Sequence, residues 1–220
     1  SIKPSQNVNK LTTSEKVLLR DKLRTLNMLT VRPELIDANI IDIIVNSTFK
    51  FNPRATTKTQ SELETLVRAA IITHDSTYLS GFDSIFRHSV LATDIDSAES
   101  SILSNITTIK LRKTITPSLG QSLGYTVDFG TGNSFYNPHS GHNAHNGGII
   151  VTTGFKVSGY TDTYYFDDDG QGNLRRYSLS GSTRVYADSQ AGTVDYSNGK
   201  ITVNGINILE TSNTDDTIYF

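Results

Sequence analysis

Fifteen of the 16 glycines and nine of the ten tyrosines lie after residue 117. Glycine costs a helix interior about 1 kcal/mol relative to alanine, whereas tight turns use its freedom at positive φ and strands favour tyrosine. The second half of the chain is thereby limited to turns and strands, and the first half is left free to form helices. Charge divides at the same place. Residues 1–116 carry 15 Lys and Arg against 12 Asp and Glu, a formal +3, and residues 117–220 carry 5 against 10, a formal −5. Two units with such different statistics are expected, joined near residues 114–119. The finer division is an N-terminal arm with an amphipathic helix (1–32), an α/β domain (33–116) and a β-rich domain (117–220). No repeat at a fixed period and no low-complexity tract interrupts this plan.

In the first part, Thr12 and Glu15 have the spacing of a capping box, which predicts a helix to about Leu29. Leu19, Leu23 and Leu26 fall on one stripe of it, and Pro33 lies beyond its end. Residues 41–51 then alternate: Ile41, Ile43, Val45, Ser47, Phe49 and Phe51 take one face of a strand. Thr59 and Glu62 form a second capping box. Behind it Leu63, Leu66, Val67, Ala70, Ile71, His74 and Tyr78 follow one helix face, with Gly81 as a left-handed terminator. Residues 82–86 read as a short strand or connector, Ser89 as the cap of a shorter helix, and residues 106–115 as a returning strand.

The second part reads as strands throughout. Leu123, Tyr125, Val127 and Phe129 alternate, and residues 148–157 form a further extended run. Residues 164–167 and 174–179 flank DDDGQGN, and residues 194–196 and 201–203 flank Asn198–Gly199; both patterns predict hairpins. The last residues, 217–220, read as a strand in mid-course, as in a fragment of a longer protein. The fold class is α+β: a small α/β sandwich (strand–helix–strand–helix–strand) followed by an all-β, hairpin-rich domain.

The function classes narrow quickly. A net charge of −2 gives no footprint for nucleic acid or an anionic membrane, and no apolar run reaches the length of a membrane span. The absence of cysteine excludes disulfides and thiolate chemistry and fits a reducing compartment. His139, His142 and His145 recur every third residue in NPHSGHNAHNGG, and three imidazoles could supply most of a zinc, copper or nickel sphere. That string has no periodic scaffold to hold them, so an exposed loop is the preferred reading. Asp167, Asp169, Gln171 and Asn173 alternate like the oxygen ligands of a calcium loop, but no bidentate glutamate follows. The same residues satisfy a hairpin tip, which is the reading adopted. There is no nucleophile elbow and no phosphate loop, and His74 and His88 sit where structural histidines sit. No catalytic residue, metal or cofactor is assigned.

Nine tyrosines on a β-rich segment offer aromatic contact area, the composition favoured at protein interfaces. Residues 78–104 (YLSGFDSIFRHSVLATDIDSAESSILS) resemble the α/β segment of the baseplate wedge subunit encoded by gene six of T4-like bacteriophages. Residues 40–79 follow that family's order, and FDDDGQGNLRRY (166–177) and GTVDYSNGKITV (192–203) resemble hairpins of its β-rich region. The resemblance implies the C-terminal part of a non-enzymatic virion protein of the tail baseplate, assembled in the host cytoplasm. It further implies self-association into homodimers, linkage into a ring around the tail hub, and contact with other wedge subunits. The histidine-rich loop is not part of the resemblance. A calcium-assisted carbohydrate- or receptor-binding tail module is the alternative from the binding class, and a histidine metallohydrolase the alternative from the enzyme class.

Overall fold

The computed structural model describes residues 13–26, 35, 40–81, 84–130 and 148–220. The chain divides into two compact units, Ile43–Leu111 and the remainder, Ser1–Asp42 with Arg112–Phe220. The first element is helix α1, Thr13–Leu26, with Glu15 in its first turn. Thr12, the expected cap, and residues 27–34 lie outside the described residues.

In the unit Ile43–Leu111, strand β1 (Asp42–Phe51) shows the alternation expected of it. Val45, Ser47, Phe49 and Phe51 are half-buried, and the residues between them are exposed. Helix α2 (Gln60–His74) opens on the anticipated capping box: the Glu62 N–H donates to Thr59 Oγ1 at 3.4 Å and the Thr59 N–H to Glu62 Oε2 at 2.7 Å. The helix ends differently from expectation. It runs on through a π turn, Asp75–Leu79, and Gly81 is not in the left-handed region. Residues 84–87 have no regular structure, so of the two readings for this stretch the described residues follow the connector and not the short strand. Helix α3 is His88–Asp96; its N-cap is Arg87, and Ser89 lies inside the first turn.

Strand β2 (Ile102–Arg112) begins four residues before its expected start. It runs antiparallel to β1. Asn52 N–H donates to Ser101 O at 2.8 Å, and Thr108 Oγ1 donates to Asn46 O at 3.3 Å. Between them the Ser47 and Thr107 hydroxyls meet at 2.8 Å. One face of this two-stranded sheet is covered by the helices. Val67, Leu91, Ile95 and Ile102 are buried, with Val45, Phe49, Ile71, Phe86, Ala98 and Ile109 packed around them. An isolated two-stranded sheet is marginal in water, and this helical cover supplies the missing core.

The other unit is built on strands β3 (Thr114–Ile115), β4 (Ser122–Asp128), β5 (Phe155–Val157), β6 (Thr163–Asp168), β7 (Asn173–Ser180), β8 (Thr183–Asp195), β9 (Lys200–Thr211) and β10 (Ile218–Tyr219). The expected hairpins β6–β7 and β8–β9 are both present, the latter turning at Gly199 with φ +63°. A third hairpin, β7–β8, turns on Gly181 and Ser182, again with φ +63° at the glycine. The long strand β9 decides the topology. Its first residues pair with β8 and its last with β5, while β5, β6 and β7 follow in order back to β8. The pairings of β5 to β9 therefore close on themselves, and β4 adds along β9. Closure removes strand edges, the main liability of an all-β unit.

Phe155, Phe166, Leu174, Ile201 and Ile208 are fully buried in this unit. Of the extended run expected at 148–157, only β5 is a strand. The preceding residues bond elsewhere: Ile150 N–H donates to Asp168 Oδ1 at 2.7 Å, Phe166 N–H to Thr152 Oγ1 at 2.8 Å, and Thr153 N–H to Tyr219 O at 3.1 Å. The final strand, β10, pairs with β3.

Candidate interaction surfaces

The sequence candidates for chemistry come first. His139, His142 and His145 lie outside the described residues. Asp167, Asp169 and Asn173 are described: the side chains of Asp169 and Asn173 meet, and Asp167 belongs to a separate network. Asp167 is fully buried. Its Oδ1 accepts from Arg175 Nε at 3.0 Å, and its Oδ2 from an Arg184 guanidinium N–H at 2.6 Å and the Tyr186 hydroxyl at 2.9 Å. Burial pushes its carboxyl above the ordinary value, and Tyr186, Arg175 and Arg184 pull it back part of the way. Asp169 holds the turn: it accepts from the N–H groups of Gln171 at 2.7 Å and Asn173 at 3.0 Å, and from Asn173 Nδ2 at 2.6 Å. The turn thus uses its own acidic oxygens, as an Asx-type tip does. Among the described residues no group of three or more His, Cys, Asp and Glu is placed to hold a metal.

Asp168 faces the opposite way and is also fully buried. Tyr196 donates to its Oδ2 at 2.5 Å, so this carboxylate ties the end of the β8–β9 hairpin to residue Ile150. His74 is buried on the helix face as anticipated, with Nδ1 2.6 Å from Asp94 Oδ2 and its ring against Tyr78 and Phe86. His88 Nε2 lies 2.9 Å from Thr107 O. Neither histidine has a serine hydroxyl among its hydrogen-bond partners.

Exposed apolar surface is the more telling feature. On the uncovered face of β1–β2, Ile106 is 69% exposed and Leu103 67%, with Ile44 farther along β1 and Lys50 and Lys110 also exposed. On the helical layer, Ile72 and Ile85 are 69% and 72% exposed, and Tyr78 is half-exposed. A unit of this size leaving aliphatic side chains bare on both layers has the character of a surface meant for partners. Residues 39–114, which contain this whole unit, match the family described as baseplate structural protein gp6, C-terminal domain III. Residues 39–114 are a gp6 C-terminal domain III. The gp6 match falls on the α/β segment that carries the sequence resemblance and supports a structural component of a tail baseplate. That family implies contact with other baseplate proteins in the virion tail. A search of curated proteins returns no match. No helix among the described residues is long and apolar enough to cross a membrane.

Sequence reasoning missed the contribution of β8. Arg184 and Tyr186 come from this strand and complete the Asp167 network. On that face Tyr165, Tyr177 and Tyr186 stand opposite one another across β6, β7 and β8, with ring centroids 5.5 and 5.9 Å apart. Arg175 lies over the Tyr186 ring and Arg184 over Tyr177, at 4.3 and 4.7 Å. The signal that could have found them is Gly181–Ser182 between Leu179 and Val185, a glycine-first two-residue turn.

Proposed function

We propose that the chain is a non-catalytic baseplate wedge subunit that self-associates and contributes to the ring around the tail hub, with other wedge subunits as its further partners. The observation that carries this reading is the gp6 domain III at 39–114, together with the aliphatic side chains bare on both of its layers. Burying Ile44, Leu103 and Ile106 against another polypeptide would contribute about 1 to 2 kcal/mol per side chain. Assembly takes place in the host cytoplasm, for which the cysteine-free composition is suited.

The test is light scattering on the 220-residue chain at high micromolar concentration. Dimers or larger species are expected, and Leu103→Asp with Ile106→Asp should shift them toward monomer while leaving the thermal transition in place. A strict monomer across the concentration range overturns the self-association reading.

A further inference from the structure

Strand β1 is ten residues long and has no proline to guard its outer edge. Along such a strand the backbone groups alternate between the paired neighbour and the outside. Asn52 N–H donates to Ser101 O, and Asn46 O accepts from Thr108 Oγ1, so the even-numbered residues face β2. The N–H and C=O groups of Ile43, Val45, Ser47 and Phe49 therefore point outward, and no hydrogen bond to them is found among the described residues. The outer edge of β2 is treated differently. The Thr107 carbonyl accepts from His88 Nε2 at 2.9 Å, and Asn105 Nδ2 donates to Ala92 O at 2.9 Å and Asp96 Oδ1 at 2.8 Å. Helix α3 is thereby fastened along β2, while β1 keeps an open edge.

A row of unpaired backbone groups is a template for another strand. We infer that the open edge of β1 pairs antiparallel with β1 of a second copy, about a two-fold axis at Asn46. The strand's own sequence selects this occupant. In that register Asp42 stands opposite Lys50 of the second copy at both ends, and Ile44 opposite Thr48, on the face away from the helices. On the other face Ile43 stands opposite Phe49 and Val45 opposite Ser47. Every outward residue then meets an outward residue, as the hydrogen-bonded pairs of an antiparallel ladder require. A slip of two residues either way, the next register that keeps this match, loses both charge pairs. Both charges are available. Arg112 reaches Asp42 only through Oδ2, at 3.1 and 3.0 Å, and Lys50 is exposed and makes no ion pair among the described residues. Strand β2 carries Lys110 and Arg112 and no acid, so pairing with itself would match no charges. The inference rests on the self-association proposed above and gives it a contact at the sheet edge, apart from the bare face.

The experiment is amide hydrogen exchange on the ¹⁵N-labelled 220-residue chain, from low micromolar to millimolar concentration, beside light scattering. As the concentration rises, exchange at Ile43, Val45, Ser47 and Phe49 should slow by about tenfold or more, and at Ile44, Asn46 and Thr48, which already face β2, far less. Lys50→Asp and Asp42→Lys each set like charges opposite one another and should each weaken self-association by about tenfold. An equimolar mixture of the two variants should restore it, because the heterodimer has unlike charges at both ends. If either variant does not fold, the exchange pattern of the unaltered chain decides. A chain that self-associates with its odd-numbered β1 amides unprotected overturns the edge pairing and leaves self-association standing, whereas a strict monomer overturns both. Folded variants that associate no better mixed than alone overturn the pairing as well.

Discussion

The two compact units solve the same problem, that of strand edges and uncovered faces, in opposite ways. In the unit built on β4–β10, β9 pairs with β8 at one end and β5 at the other, so five strands close on themselves. Its buried acids are also matched internally, Asp167 by two arginines and a tyrosine and Asp168 by Tyr196 and a backbone N–H. Among its described residues the unit Ile43–Leu111 has two strands, covered by helices on one face and bearing Leu103 and Ile106 on the other. Closure pairs the edges of β5 to β9 within the unit. Openness leaves apolar area for partners, and this is the unit that carries the gp6 domain.

The comparison can be broken most directly at the core of each unit. Leu91→Ala, at a side chain 1% exposed, should cost about 3 kcal/mol, and Gly192→Ala about the same. At Gly192 an added Cβ would stand 2.0 Å from Thr202 O, a backbone atom that cannot move without disturbing the β8–β9 ladder. Hydrogen exchange should speed up mainly in residues 43–111 for the first and mainly in β7–β9 for the second. If either substitution loosens both units equally, the contrast between them is wrong.

A smaller effect sharpens the local account of the helical layer. Thr59→Ala removes the hydroxyl that accepts the Glu62 N–H and should lower stability by about 1 kcal/mol in urea denaturation. Thr59→Asn, which keeps a cap acceptor, should recover most of it.

Acid supplies the smallest effect and separates two carboxylates of the same unit. Bonds from Ser197 and Asn198 lower the Asp195 pKa to about 2. A depressed folded-state pKa contributes stability that is full above the ordinary carboxylate value and lost as pH falls through about 2. Asp167 is raised by burial, so it works in the other direction: acidification through the carboxylate range favours its folded form. Asp195→Asn should therefore flatten the decline in denaturation midpoint between about pH 4 and pH 2. An unchanged decline would mean that Asp195 does not contribute to it.

How much was legible follows from how local each signal is. The β1 alternation, the Thr59–Glu62 box and the turns at DDDGQGN and Asn198–Gly199 are each spelled within a few residues, and all appear as read. Of the two readings of residues 82–86, short strand or connector, the described residues 84–86 follow the connector, because an apolar run of a few residues does not say whether an edge is available to pair with. Ser89 was read as a cap because hydroxyl residues favour that position, yet the helix begins one residue earlier and the hydroxyl plays no such role. The acidic turn was recognisable, but the partners of Asp167 were not, since Arg184 and Tyr186 arrive from the early part of β8, of which only the end at residues 194–196 had been read as strand.

By itself the sequence determined the division into a helix-bearing half and a turn-rich half, because glycine and tyrosine placement acts residue by residue on the backbone. It also determined the faces of the strands and the hairpin turns, which depend on spacings of two to four. Only the tertiary structure decided that β9 joins β5 to β8, that Asp167 and Asp168 face opposite ways into separate networks, and that one face of β1–β2 stays bare. Those outcomes depend on which distant segments compete for the same edge or face, and that competition is settled by the summed contacts of the whole chain.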